Sequence, residues 1–216
     1  GDKKLLIPAI SIDFFFFFSN RSNAEMSNSN IVSFSIIIPT YNESENVLRL
    51  IREIEKNLPT SDFTEIIIVD DNSPDGTGKL VENYINKQKS TTEKDGSPKT
   101  KNYRIKIVNR IGKNGLIPAI MDGVKQSSGQ NVIIMDADFS HPPDVIPKMM
   151  QELKMNPNSI IIGSRYIEGG KVIGWPKKRR LLSTGASILA RFGLNVRRVK
   201  DPMSGLFALP RELIQN

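Results

Sequence analysis

Five short runs of β-branched and apolar residues recur along the chain, separated by longer amphipathic stretches, and this alternation limits the fold more than any other feature. The runs are 34–38, 65–69, 105–108, 132–135 and 160–162. Each is apolar enough to be buried on both faces, the pattern of parallel strands covered by helices. After the first run, residues 43–57 place Val47, Leu48, Ile51 and Ile54 at helical spacing. Residues 115–127 and 144–155 read the same way, with Pro118 and Pro143 near the helix starts, where proline is tolerated. Strands alternating with helices predict an α/β fold: a Rossmann-like, open, mostly parallel sheet flanked by helices, in a single domain. Ligands of such sheets bind outside the carboxyl ends of the strands.

Polar residues concentrate at those ends. The first run leads into Pro39-Thr40-Tyr41-Asn42-Glu43, the second into Asp70-Asp71-Asn72-Ser73-Pro74-Asp75-Gly76, and the fourth into Asp136-Ala137-Asp138-Phe139-Ser140-His141. Three strands thus deliver carboxylates to one sheet edge, where their mutual repulsion calls for a cation or for hydrogen-bond donors. An Asp-x-Asp pair leaving a strand can aim both carboxylates at one hard divalent ion, which then holds a diphosphate. Acidic turns are common, so Asp136 and Asp138 gain their weight from following an apolar strand beside two other acidic strand ends. Two other phosphate-binding schemes fail. Gly76-Thr77-Gly78 lacks the third glycine of the dinucleotide fingerprint, and Gly78-Lys79-Leu80 lacks the Ser or Thr of a P-loop. His141 is the only histidine, which leaves no His-rich metal site and no Ser-His-Asp triad; it reads as a hydrogen-bonder within its loop.

The absence of cysteine excludes disulfides and thiolate metal sites. The net charge of +7 is unevenly spread, with nine Lys or Arg and no acid between Lys171 and Lys200. Such a strip suits a phosphate-rich partner (a nucleotide, a lipid phosphate, an anionic membrane or nucleic acid) and serves equally as a solvated face. No apolar run reaches the roughly 18–20 residues that span a bilayer. Residues 5–18 come nearest, but they contain Asp13 among their apolar neighbours, with Phe14 to Phe18 consecutive. Met26 stands just ahead of the polar 27–30 stretch and the first strand. Residues 1–30 therefore read as a disordered leader or an extension upstream of the natural start, and 31–216 as the folded domain. The polar segment 87–101, with Gly96 and Pro98, reads as a long loop before the third strand.

Taken together, Ile38 to Glu43, Val69 to Thr77 and Met135 to Pro143 resemble the family 2 glycosyltransferases of the GT-A fold. Gly163-Ser164-Arg165-Tyr166, Gly169-Gly170, Trp175 with Lys178-Arg179-Arg180, and Asp201-Pro202-Met203-Ser204-Gly205 narrow the resemblance to the dolichyl-phosphate (polyprenyl-phosphate) mannosyltransferase group. It covers the chain from about Ile31 to its end. The resemblance implies a nucleotide-sugar pocket lined by Pro39, Tyr41, Glu43, Val69 and Asp71. It implies Asp136, Ala137 and Asp138 at the metal and diphosphate, with Mg²⁺ or Mn²⁺ as the ion. Arg165 and Arg179 would meet the donor diphosphate and the acceptor phosphate. Ser140 stands where some relatives carry a metal-binding Gln, and a neutral hydroxyl is a poorer ligand. Two departures stand out. Gly115-Leu116-Ile117 replaces a Gly-Leu-Gly, and relatives continue past this endpoint into a segment bearing a further basic residue and often membrane helices.

The implied reaction is inverting transfer of mannose from GDP-mannose to dolichyl phosphate at the cytosolic face of a membrane, with a membrane surface or an anchoring subunit as partner and no nucleic acid. The nearest rival on the same scaffold is a polyprenyl-phosphate glucosyltransferase using UDP-glucose. A processive polysaccharide synthase fits less well, because Gly174 precedes Trp175 where a Gln-x-x-Arg-Trp signature is required. A non-catalytic membrane or nucleic-acid adaptor would use the 171–200 strip, but it has no need of the acidic strand ends.

Overall fold

The computed structural model describes residues 32–89, 101–163 and 204–215. In chain order these form β1 (Phe34–Thr40), α1 (Val47–Asn57), β2 (Thr64–Asp70), α2 (Thr77–Lys89), β3 (Tyr103–Asn109), α3 (Leu116–Gln126) and β4 (Asn131–Met135). A single 3₁₀ turn (Pro143–Val145), α4 (Ile146–Met155), β5 (Ile161–Ile162), β6 (Leu206–Pro210) and α5 (Glu212–Gln215) follow. The sheet order is β3-β2-β1-β4-β6-β5. The first four strands run parallel, and β6 lies antiparallel to both β4 and β5. The expected open, mostly parallel sheet with flanking helices is therefore present.

Strand alternation divides the hydrophobic residues between two cores. Phe34, Ile36 and Ile38 of β1 face α1, α2 and α4, packing with Leu50, Ile51, Val81, Met149 and Leu153. Ile37 points the other way, with Ile67, Val69 and Ile134, against Ala119, Ile120 and Val124 of α3. Helices on both faces explain why β1, β2 and β4 are continuous apolar runs. On α1 the buried stripe is Val47, Leu50, Ile51 and Ile54. Leu48 is only partly buried, so Leu50 takes the core position the sequence reading had assigned to Leu48.

The fold corrects the sequence reading in four further places. The edge strand β3 is half exposed along its length rather than buried on both faces. The 160–162 run is only a two-residue strand and is antiparallel, pairing solely with β6 among the described residues. No strand was expected at 206–210. Residues 87–89, read as loop, belong to α2. The remainder of that loop, the 1–30 leader and the 171–200 strip lie outside the described residues.

At the amino ends of the strands, one charged residue is fully buried. Glu65 sits in register between Ser35 on β1 and Arg104 on β3. Its carboxylate accepts hydrogen bonds from Ser35 Oγ (2.6 Å), Arg104 (2.9 Å) and Ser128 Oγ (3.1 Å) and an ion pair from Lys106 (2.7 Å). Burial alone raises this carboxyl's pKa; Lys106, the Ser128 amide, Ser35 and Arg104 outweigh it and hold it at about 2. One side chain thus ties three strands to the connection following α3.

Candidate active site

The strand order reverses beside β1: β2 and β3 lie on one side and β4 on the other. That switch point opens a crevice at the carboxyl ends, where α/β sheets take their ligands. The segments after β1, β2 and β4 all meet this edge, as the motif positions required.

Next to β1 and β2, Pro39, Tyr41, Asp71, Lys113, Gly115 and Leu116 line a cleft of about 140 Å³. The Lys113 ammonium lies 3.7 Å from the centre of the Tyr41 ring and forms a wall. Asp71 is buried, and its charge is answered from within the protein. Arg110 is ion-paired with it, and the amides of Asn114 (3.1 Å) and Gly115 (2.8 Å) donate to it. Burial pushes its pKa up, and these amides and Arg110 push it further down, so the carboxylate stays ionised. Arg110 is itself buried and also donates to Asp122 of α3 at 2.9 Å. Gly115 sits at φ +91°, a backbone that side chains rarely adopt, and this turn aims the 114–115 amides at Asp71. Among the acidic residues at this edge, Asp71 is therefore satisfied by the Arg110 guanidinium and by backbone amides.

The residues expected at a nucleotide pocket separate into two sets. Pro39, Tyr41 and Asp71 come together in the cleft. Val69 is fully buried beneath it, in the core under α3. Glu43 lies in the turn before α1, where it accepts from Asn46 Nδ2 at 2.9 Å. Asp70 and Asp75 are occupied locally: Asp70 by Thr40 and Ser73, Asp75 by Ser44 and Thr77.

Across the switch point, Asp136, buried Ala137 and exposed Asp138 leave the end of β4. The Asp136 amide donates to the Gly205 carbonyl at 3.1 Å. A Cβ on Gly205 would lie 1.7 Å from Asp136 Oδ2, so the missing side chain forms the cradle in which that carboxylate sits. Asp138 Oδ1 accepts the Ser140 amide at 2.9 Å, which closes a tight turn around Phe139. Ser140 thus acts on the pair through its backbone. His141 is buried, with Nε2 at 3.2 Å from the Gly163 carbonyl, and is a hydrogen-bonder in the loop. Among the described residues no three His, Cys, Asp or Glu side chains cluster tightly enough to cage a metal alone. Two carboxylates leaving one strand end are the donor type that suits a hard divalent ion, which completes its shell with phosphate oxygens and water. Arg165 and Arg179 lie outside the described residues.

Two functional positions were missed from sequence. Arg110 gave one signal, an arginine directly after β3 at the acidic edge. Gly205 stood in the Asp201-Pro202-Met203-Ser204-Gly205 motif, but its role was not readable there, because that role is the room it leaves for a residue far away in the chain.

An open sheet with a donor-lined acidic cleft on one side of the switch point and an aspartate pair on the other has the GT-A architecture of nucleotide-sugar transferases. The fold agrees with a solved mannosyltransferase of Pyrobaculum calidifontis in complex with GDP-Man and Mn²⁺ (TM-score 0.53, 19% identity, covering 87% of this chain and 47% of that one). The glycosyl transferase family 2 pattern matches residues 35–212, and the chain belongs to that family. It is 41% identical over 182 residues to the dolichol-phosphate mannosyltransferase of Pyrococcus furiosus, covering 84% of this chain and 47% of the relative. It is 34% identical over 191 residues to the enzyme of the same name from Mycosarcoma maydis, covering 86% and 59%. The chain thus spans between about half and three fifths of the length of these curated relatives. No described helix is long and apolar enough to cross a membrane.

Proposed function

We propose that this chain carries the catalytic domain of a dolichyl-phosphate (polyprenyl-phosphate) mannosyltransferase that uses GDP-mannose. The observation that carries the reading is the placement of Asp136 and Asp138 across the switch point from the Asp71 cleft. Sequence similarity to two dolichol-phosphate mannosyltransferases supports the choice of sugar and acceptor.

In this reading the nucleoside occupies the cleft between Tyr41 and Leu116. Asp71, ionised and acceptor-only, receives hydrogen bonds from its neutral N–H or O–H groups. Asp136 and Asp138 hold the diphosphate end through Mg²⁺ or Mn²⁺, which when bound supplies charge neutralisation for the departing nucleoside diphosphate. Arg165 and Arg179 are assigned to the donor diphosphate and the acceptor phosphate, where they offset the repulsion between two anions. The acceptor needs no general base: the second pKa of a phosphate monoester is about 6, so at neutral pH it is already largely dianionic. Its oxygen attacks the anomeric carbon from the face opposite the leaving group. One C–O bond forms as the other breaks, inverting the anomeric centre and releasing GDP. A dolichyl chain places the reaction at a membrane, and we assign it to the cytosolic face, held by the lipid surface or by an anchoring subunit.

Calorimetric titration with GDP and with UDP, each with and without Mn²⁺, tests this. GDP should bind at least tenfold more tightly with the ion present, and Asp138→Ala should lose that enhancement while keeping the wild-type thermal transition. A metal-dependent preference for UDP would favour the glucosyltransferase alternative. Binding of neither nucleotide would sink the transferase reading.

A further inference from the structure

Among the described residues, three that are not glycine have left-handed backbone: Asn42, Asn72 and Phe139. Asparagine tolerates that region through its short polar side chain, whereas a bulky aromatic residue does not. Phe139, at φ +58°, is thus the unusual one, and it directly follows Asp138. Such a conformation persists only where the surroundings hold it. Two contacts do so here. The Phe139 ring packs against the core formed by α1 and α4. The guanidinium of Arg49, on the exposed side of α1, lies 4.4 Å from its centroid. The turn is closed by the Ser140 amide on Asp138 Oδ1 and anchored just beyond by His141.

We propose that Arg49 is a positioning residue for Asp138, acting through a cation–π clamp on Phe139. The backbone at Phe139 sets the angle between Asp138 and Ser140. Fixing the ring therefore fixes which way the Asp138 carboxylate leaves the turn, with Oδ1 held by the Ser140 amide. Arg49 touches no reacting atom in this scheme; it supplies the second side of a vise whose first side is the hydrophobic core. The inference rests on the reading of Asp138 as an ion ligand, and two separate measurements keep the two claims apart.

The first is hydrogen–deuterium exchange of the peptide containing Ser140 in the metal-free protein. The second is Mn²⁺ titration in the presence of GDP. Arg49→Ala should speed exchange at Ser140 and weaken Mn²⁺ binding, each by about three- to fivefold, the range expected of a half-exposed cation–π contact. The thermal transition should not move, because Arg49 is on the surface. Arg49→Lys keeps a cation over the ring without the planar stack and should restore part of both effects. Phe139→Leu removes the ring that Arg49 stacks on and also alters its core packing, so it should show at least the Arg49→Ala effect, and adding Arg49→Ala to it should change neither measurement further. Unchanged exchange in Arg49→Ala overturns the clamp regardless of what the ion does. Faster exchange with unchanged Mn²⁺ affinity, in a protein whose Asp138→Ala variant loses the ion, overturns the positioning role. If Asp138→Ala binds Mn²⁺ as well as wild type, the ion-ligand reading fails and takes the positioning role with it.

Discussion

At the scale of single residues, the crevice solves an electrostatic problem by dividing it. Asp71 is neutralised by Arg110 and backbone amides, so it offers a cleft ligand only hydrogen-bond acceptors. On the reading proposed above, Asp136 and Asp138 would instead be answered by a divalent cation. Gly205 keeps the second half of that arrangement open, and Gly205→Ala tests it. The added Cβ would fall 1.7 Å from Asp136 Oδ2, far inside any contact distance, so the carboxylate must move. We expect at least a tenfold loss of Mn²⁺ affinity by calorimetry, with far-ultraviolet circular dichroism unchanged. The aspartate pair was legible in the sequence because its two members and the strand that launches them are contiguous. The Arg110–Asp71 pair was not, since its partners are 39 residues apart and meet only once β2 and β3 are side by side.

At the scale of elements, α3 is the most constrained. Its buried face carries Gly123, where an added Cβ would meet Ile37 Cγ2 at 2.5 Å and Val69 Cγ2 at 3.0 Å. Helix propensity favours Gly→Ala by about 1 kcal/mol, whereas overpacking costs about 1–3 kcal/mol. Both neighbours are β-branched, fully buried side chains that cannot swing aside, so the cost wins. Gly123→Ala should destabilise the domain by up to roughly 2 kcal/mol in urea unfolding, and tilting α3 should also weaken nucleotide binding through Gly115. The elements also show why some strands were readable. β1, β2 and β4 are rich in isoleucine and valine, and local pattern sufficed. β6 reads Leu-Phe-Ala-Leu-Pro, with no β-branched residue and a terminal proline. It is a strand because β4 and β5 pair with its two edges, a non-local cause that no window of sequence contains.

At the scale of the whole molecule, the buried Glu65 makes acid stability predictable. Its folded pKa of about 2 lies below the ordinary 4.5, so the folded state is favoured wherever the carboxylate is ionised. That stabilisation is complete above about pH 4.5 and fades as pH falls toward 2. A separation of that size corresponds to roughly 3 kcal/mol. Glu65→Gln should therefore unfold more readily than wild type at pH 7, and the gap should narrow as both are titrated toward pH 2. Urea midpoints at a series of pH values would check this; a constant gap would mean that Glu65 acts through shape rather than charge.

The junction between β5 and β6 has its own consequence. Residues 164–203 depart at Gly163 and return at Ser204, and those two ends are joined by a hydroxyl-to-carbonyl hydrogen bond of 2.6 Å. In sequence terms this stretch is a handle whose two described ends meet at one point of the sheet rim. The closure entropy of such a handle grows only with the logarithm of its length. Evolution can therefore lengthen, shorten or exchange it without altering the register of any strand. The basic residues 171–200 belong to this stretch of sequence and the aspartates to the sheet edge, so the two are free to diverge at different rates.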